Sequence, residues 1–265
     1  MPGQIIVNHE TLSDGSCLAT LLIANPSKLN AIDHGMWLQL KAMLDELAKE
    51  TQLRCLLIRG EGENAFAAGG DIEEFLQKRM SIEDGYAYHE GAVAPALNAL
   101  AEFPAPVVAM IHGACIGGGL EIAACCDIRI AAENATFGAP INKLGFSMYA
   151  GELAHVLALA GTALTTEILL EGRILSAGEA LTKGLLTRVV SAAQLSTEAE
   201  TCCRKIAQGA PLVARAHKQW IRRLSHEQTP SSTEKRDSLA LINSNDYREG
   251  LAAFLQKRRP QFRGN

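Results

Sequence analysis

A chain that runs from Pro106-Val-Val-Ala-Met-Ile-His112 directly into Gly113-Ala-Cys-Ile-Gly117-Gly118-Gly119-Leu120-Glu121 can fold in few ways. The apolar run predicts a buried strand, and Leu-Glu-Ile-Ala-Ala after the glycines predicts a helix start. Three successive glycines at that junction leave no side chain between the backbone and whatever approaches it. They serve either close packing or access to free N–H groups at the positive end of a helix, where a developing negative charge is stabilised. Glu121 follows within reach of the same spot. Donors beside a titratable carboxylate suggest chemistry on a carbonyl compound, although Glu121 can equally serve only the helix terminus.

Nucleotide readings fail on spacing. Gly113 and Gly118 match the glycines of a phosphate-binding loop, but Gly119 stands where its lysine belongs. A dinucleotide fingerprint needs Gly-x-Gly-x-x-Gly and an acidic residue about 20 positions on, and Asp127 comes too soon. Gly-x-Ser-x-Gly is absent at this junction. A second strand, Arg54 to Gly60, leads to Ala65-Phe-Ala-Ala-Gly69-Gly70-Asp71-Ile72. Asp71 with Glu74 has the form of a helix N-cap and its capping partner. Two unobstructed loops before two helices can supply two N–H donors to one point.

Strands are predicted near 17–24, 53–59, 106–112 and 126–131, alternating with helices over 33–50 and 84–102. That alternation implies parallel strands with crossover helices. From Thr162 onward the pattern is mostly helical, with breaks at Gly172, Gly184 and Pro211. A net charge of −4 gives no general attraction to nucleic acid or an anionic membrane. No apolar run is read as approaching the roughly 18 residues that span a bilayer. The first ten residues lack the basic-then-apolar form of a leader. The seven cysteines include two adjacent pairs and no Cys-x-x-Cys, and are read as reduced, buried hydrophobes in a cytoplasmic protein. His34, His89 and His112 form no metal-ligand pattern.

Asn25-Pro-Ser-Lys28-Leu-Asn30-Ala31, Ala65 to Ile72, and Pro106 to Glu121 resemble, in order, three motifs of the enoyl-CoA hydratase/isomerase, or crotonase, superfamily. Cys126–Ala131, Phe137-Gly138, Leu144-Gly145, Glu171–Arg173, Ala177–Ala180, Gly184-Leu185 and Glu249 to Phe262 continue the resemblance to the C-terminus. It implies an α/β fold, a spiral of repeated ββα turns over 1–195, followed by a helical trimerisation region over 196–265. Assembly would be a homotrimer or dimer of trimers, with Trp220 and Phe254 suited to the interface. By resemblance, the N–H groups of Gly70 and Gly118 form an oxyanion hole for a thioester, and Glu121 is catalytic. Ala68, Gly70, Asp71, Ile72, Glu73 and Gly118 would hold coenzyme A, with Lys28 and Lys257 as phosphate contacts. The CoA thioester is then the substrate, and no separate cofactor or metal is implied.

One departure from the family pattern bears on the reaction. Hydratases carry a second glutamate in Phe-Gly-x-Pro-Glu, but this chain reads Phe137-Gly138-Ala139-Pro140-Ile141. Addition of water across a double bond needs a base for the water and an acid for the α-carbon. An apolar neighbour should raise the pKa of Glu121 by desolvation. The following loop, Gly145-Phe-Ser-Met-Tyr149-Ala-Gly-Glu152, also departs, and Tyr149 is the first candidate to replace the missing group, ahead of Glu152 and the nearby His155. Three readings stay open: a hydratase/isomerase with one retained glutamate, an isomerase or decarboxylase without hydratase activity, and a non-catalytic CoA-binding member. Gly118→Val is expected to block the thioester without unfolding the chain, and Ile141→Glu to raise hydration if a second carboxylate is limiting.

Overall fold

Two antiparallel strands, β1 (Gln4–Thr11) and β2 (Cys17–Ala24), open the chain, and α1 (His34–Leu47) follows. One pattern then repeats three times: a long strand, a short strand and a helical segment. The first turn is β3 (Leu53–Gly60), β4 (Ala65–Ala67) and the helices α2 (Ile72–Lys78), α3 (Ile82–Tyr88) and α4 (Ala94–Ala101). The second is β5 (Val107–Ile111), β6 (Ala114–Ile116) and α5 (Gly118–Cys125); the third is β7 (Ile128–Ala132), β8 (Thr136–Gly138) and α6 (Ala150–Leu170). Long strands join one sheet in the order β1-β2-β3-β5-β7-β10, closed by β10 (Arg188–Val190). Short strands stack in a second sheet, β4-β6-β8-β9, closed by β9 (Ile174–Ser176). This is the expected ββα spiral. The computed structural model describes residues 3–225 and 229–265, so Met1 and Pro2, where the N-terminal reading begins, lie outside the described residues.

The long strands show why the large sheet is buried on both sides. On β3, Leu53, Leu56 and Ile58 enter one core and Cys55 and Leu57 the other; on β5, Val107, Ala109 and Ile111 alternate with Val108 and Met110 in the same way. One core is packed with Trp37, Leu40 and Leu97 from α1 and α4. The other is closed by α8 (Leu195–Ala207), through Ala199, Cys202 and Cys203. Parallel strands covered on both faces read as continuous apolar runs, which is how they were found. The remaining helices are α7 (Ala177–Thr182), α9 (Pro211–Leu224), α10 (Ser232–Asp237) and α11 (Asn245–Leu255). On α11, Phe254 is 81% exposed, whereas Trp220 on α9 is half-buried. All seven cysteines are free, six of them buried.

Three expectations need correction. β9 and β10 lie inside the region read as helical, because three-residue strands carry too few residues to show a period of two. The expected helix over 84–102 is two α-helices joined by a five-residue π turn, His89–Val93. Finally, α6 is 21 residues long and apolar enough to pass a membrane-span criterion, contrary to the reading that no run approaches that length. Gly161 breaks it, with φ 69° and ψ 170°, and its first turn carries the buried Glu152.

The glycine triplet does more than permit a turn. Gly117 adopts φ +50°, open to glycine at little cost. A Cβ on Gly119 would lie 2.3 Å from the carbonyl oxygen of Ala67, so α5 can pack on β4 only with glycine there. Gly119→Ala is expected to destabilise the fold by about 1–3 kcal/mol, the usual cost of overpacking; an unchanged thermal midpoint would contradict the close contact.

Candidate active site

The β4–α2 and β6–α5 loops meet edge to edge. A Cβ built on Gly69 would stand 3.3 Å from the Ile116 carbonyl oxygen and 3.9 Å from the Gly118 nitrogen. Backbone hydrogen bonds lock both loops: Ala68 N–H donates to Leu29 O, Ile32 N–H to Gly69 O, Asp71 N–H to Ile32 O and Gly117 N–H to Gly138 O, all at 2.8–3.0 Å. These turns use the N–H groups of Ala68 and Asp71, which flank Gly69-Gly70, and of Gly117 before Gly118. The N–H of Gly118, in the first turn of α5, has no acceptor within the helix. Ala68, Gly70 and Gly118 line one cavity of about 190 Å³.

Carboxylates enter this cavity from two helices. Glu121 projects from the first turn of α5 and Glu152 from the first turn of α6, and both are buried, at 7% and 2% exposure. Desolvation holds Glu121 well above the usual carboxylate range, and the neighbouring Glu152 charge pushes the same way while Arg79 opposes. Burial likewise pushes Glu152 up to about 8, with Arg79 opposing and Glu90 adding to it. The sequence-based expectation of a raised Glu121 therefore holds in direction and in cause. Its companion is Glu152; Ile141 lies half-buried in the same wall.

The π turn positions Glu152. His89 Nδ1 and Glu152 Oε1 share a hydrogen bond of 2.5 Å. Burial and the Arg79 charge lower the His89 pKa to about 4, so the imidazole is neutral near pH 7. The His89 ring stacks on Tyr149, centroids 5.0 Å apart and 15° from parallel. Tyr149 lines the cavity, but its hydroxyl donates to Glu90 Oε1 at 2.6 Å, and this bond foremost pushes its pKa up to about 12. Single-turn π insertions in helices are frequent at functional sites. Neither the π turn nor the Glu152–His89 pair was anticipated. The available signal was one carboxylate within the first turn of a long apolar helix.

The predicted CoA contacts are only partly gathered. Ile72 lines the cavity edge and is 46% exposed. Asp71 caps α2 by accepting from Glu73 N–H at 3.2 Å, whereas Glu74 accepts from His34 N–H at 2.7 Å across to α1 and so is not the capping partner. Lys28 Nζ donates to Asp71 Oδ2 at 2.7 Å and Glu73 Oε2 at 2.8 Å, an exposed ion-pair cluster beside the cavity mouth. Lys257, exposed and with φ 55°, follows α11 and does not line the cavity. His155 bonds Asn98 at 3.0 Å and is not in the cavity wall. No group of three potential metal ligands occurs among the described residues.

A ββα spiral with short strands delivering two glycine loops to one cavity defines a protein of the crotonase fold. The family model of enoyl-CoA hydratase/isomerase matches residues 14–265, and the chain belongs to that family of enzymes. Among curated relatives, a crotonyl-CoA hydratase of Syntrophomonas wolfei is 31% identical over 92% of this chain and 94% of its own. A short-chain-enoyl-CoA hydratase of Clostridium acetobutylicum is 29% identical over 96% and 97%. A crystal structure of an enoyl-CoA hydratase/carnitine racemase from Magnetospirillum magneticum superposes with a TM-score of 0.91, 41% identity, and coverage of 94% and 92%.

Proposed function

We propose that this chain hydrates or isomerises a 2-enoyl-CoA by stabilising a thioester enolate, with Glu121 and Glu152 as the proton-transfer pair. The observation that carries the reading is the burial of both carboxylates in the cavity that Gly70 and Gly118 line. The thioester oxygen is taken by the N–H groups of Gly70 and Gly118, where a donor is typically worth about 2.7–4 kcal/mol of barrier. In hydration, the ionised member of the pair removes a proton from water as its oxygen adds to Cβ. The enolate then collapses as the protonated member delivers its proton to Cα. Isomerisation uses the same pair to move one proton along the acyl chain without water.

Two ionised carboxylates buried in one cavity repel, so at neutral pH the pair retains a proton and supplies acid and base together. His89 holds Glu152, and Tyr149 acts as a positioning residue that stacks on His89. Coenzyme A reaches the site along Ala68–Glu73, with Lys28 beside its path. Exposed Phe254, Leu251 and Leu255 on α11 support assembly as a trimer.

The test is hydration of crotonyl-CoA, followed by loss of the conjugated thioester absorbance, beside shift of the double bond in a 3-enoyl-CoA. Turnover of the first is expected. Tight binding of both esters with turnover only of the second would make the enzyme an isomerase, and turnover of neither would remove the proposal.

A further inference from the structure

Arg79, just beyond α2, lines the cavity with its guanidinium carbon 4.1 Å from the Phe75 ring centroid, 4.7 Å from Phe146 and 5.6 Å from Tyr88. These three rings give it a stacked, planar seat but no counter-ion. Its backbone N–H donates to Phe75 O at 3.0 Å, but among the described residues no carboxylate reaches the guanidinium within ion-pairing distance and none of its N–H groups has a hydrogen-bond partner. Glu121 and Glu152 are near enough to feel its charge but do not touch it. Tyr88 lines the same cavity, and its buried hydroxyl also lacks a partner. A guanidinium costs energy to desolvate, and burial lowers the Arg79 pKa accordingly. Its charge acts at a distance on Glu121 and Glu152, but that action uses none of its N–H donors, which stay open to the acyl cavity.

We infer that Arg79 is a specificity residue for an acyl chain bearing a carboxylate. The guanidinium presents two parallel N–H donors to a carboxylate in a geometry that no neutral chain end can use. Aromatic rings on its faces fix the plane of the fork and exclude water from the contact. A trimethylammonium or other cationic chain would instead be repelled. The inference rests on the acyl-CoA reading above, because it assigns the far end of the chain whose thioester end meets Gly70 and Gly118.

Binding tests this without depending on chemistry. Saturated acyl-CoA esters of five to eight carbons, each ending either in carboxylate or in methyl, would be titrated calorimetrically into the wild-type protein and Arg79→Met. At one chain length or more, wild type is expected to bind the carboxylate-ended ester at least tenfold tighter than its methyl-ended twin. Arg79→Met should abolish or invert that ratio, and Arg79→Lys should recover part of it. No preference in wild type at any length would overturn the inference. So would a preference that survives in Arg79→Met, or an equal loss of affinity for both esters. The matching 2-enoyl esters, assayed for turnover, keep the two readings apart: a preference in binding without turnover of any ester would leave Arg79 assigned and sink the enzymatic proposal.

Discussion

Glu152→Gln is expected to lower turnover of the preferred enoyl-CoA by about 10²–10⁴-fold, the usual range for loss of a positioned acid or base. Glu121→Gln should do the same, and the double variant should cost little more than either single one, because the two carboxylates act as a unit. Gln keeps the shape and one hydrogen bond toward His89, so loss of folding is not expected. The argument also reverses the expectation for Ile141→Glu. With Glu152 already in the cavity, a third carboxylate adds repulsion and no missing function. Ile141→Glu in the wild-type background should give no gain, whereas combined with Glu152→Gln it should return activity. Full turnover in Glu152→Gln would sink the pair and return attention to Tyr149.

The pH profile separates this mechanism from a structural role. Glu152 is held near 8 and Glu121 is raised by burial and by Glu152. The proton shared by the pair is therefore present at neutral pH and lost as pH rises through about 8, removing the donor to Cα. Wild-type kcat/KM is expected to decline on that alkaline side. In Glu152→Gln this limb should move, since Glu152 no longer titrates or adds its charge to Glu121, which burial alone still raises. An alkaline limb identical in both proteins would show that Glu152 does not titrate in the reaction.

The frame of this fold was legible because its long strands are buried on both faces: β5 is an unbroken apolar run, and β3 and β7 are interrupted only by Arg54, Arg59 and Arg129. Gly70, Gly118 and Glu121 were legible because a strand–glycine–helix junction fixes where its backbone must go. Glu152 was not, for a reason that lies in tertiary structure. Its position in the chain is 31 residues from Glu121, and only the packing of α6 on α5 brings the two together. Arg79 was hidden in the same way, as one of many charges along an exposed helix until Phe75, Phe146 and Tyr88 closed around it. Ile141 pointed to an absence, and the sequence offered Tyr149 first because the family resemblance places a catalytic acid at that position of the loop. Its hydroxyl, spent on Glu90, shows how position in a motif and availability in space diverge.

Gly118→Ala is expected to lower kcat by about 10²-fold while leaving most of the thermal stability in place. A Cβ there would stand 3.0 Å from Cζ2 of Trp37, a ring that is 2% exposed and lines the cavity. The new methyl group faces that ring rather than open space, so the loop carrying the Gly118 N–H must shift by tenths of an ångström. A displaced donor loses alignment with the charge that develops on the thioester oxygen, and small misplacements of catalytic groups cost on this scale. Gly118→Val would press a larger group on the same buried ring, so it should cost stability as well as activity and cannot serve as a clean block. The discriminating experiment pairs Gly118→Ala with Trp37→Phe, which removes the atoms that the methyl meets. If donor placement is the cause, the double variant should turn over faster than Gly118→Ala alone, at unchanged affinity for saturated acyl-CoA. Equal rates in the two would mean that the Gly118 N–H is not where the thioester oxygen binds.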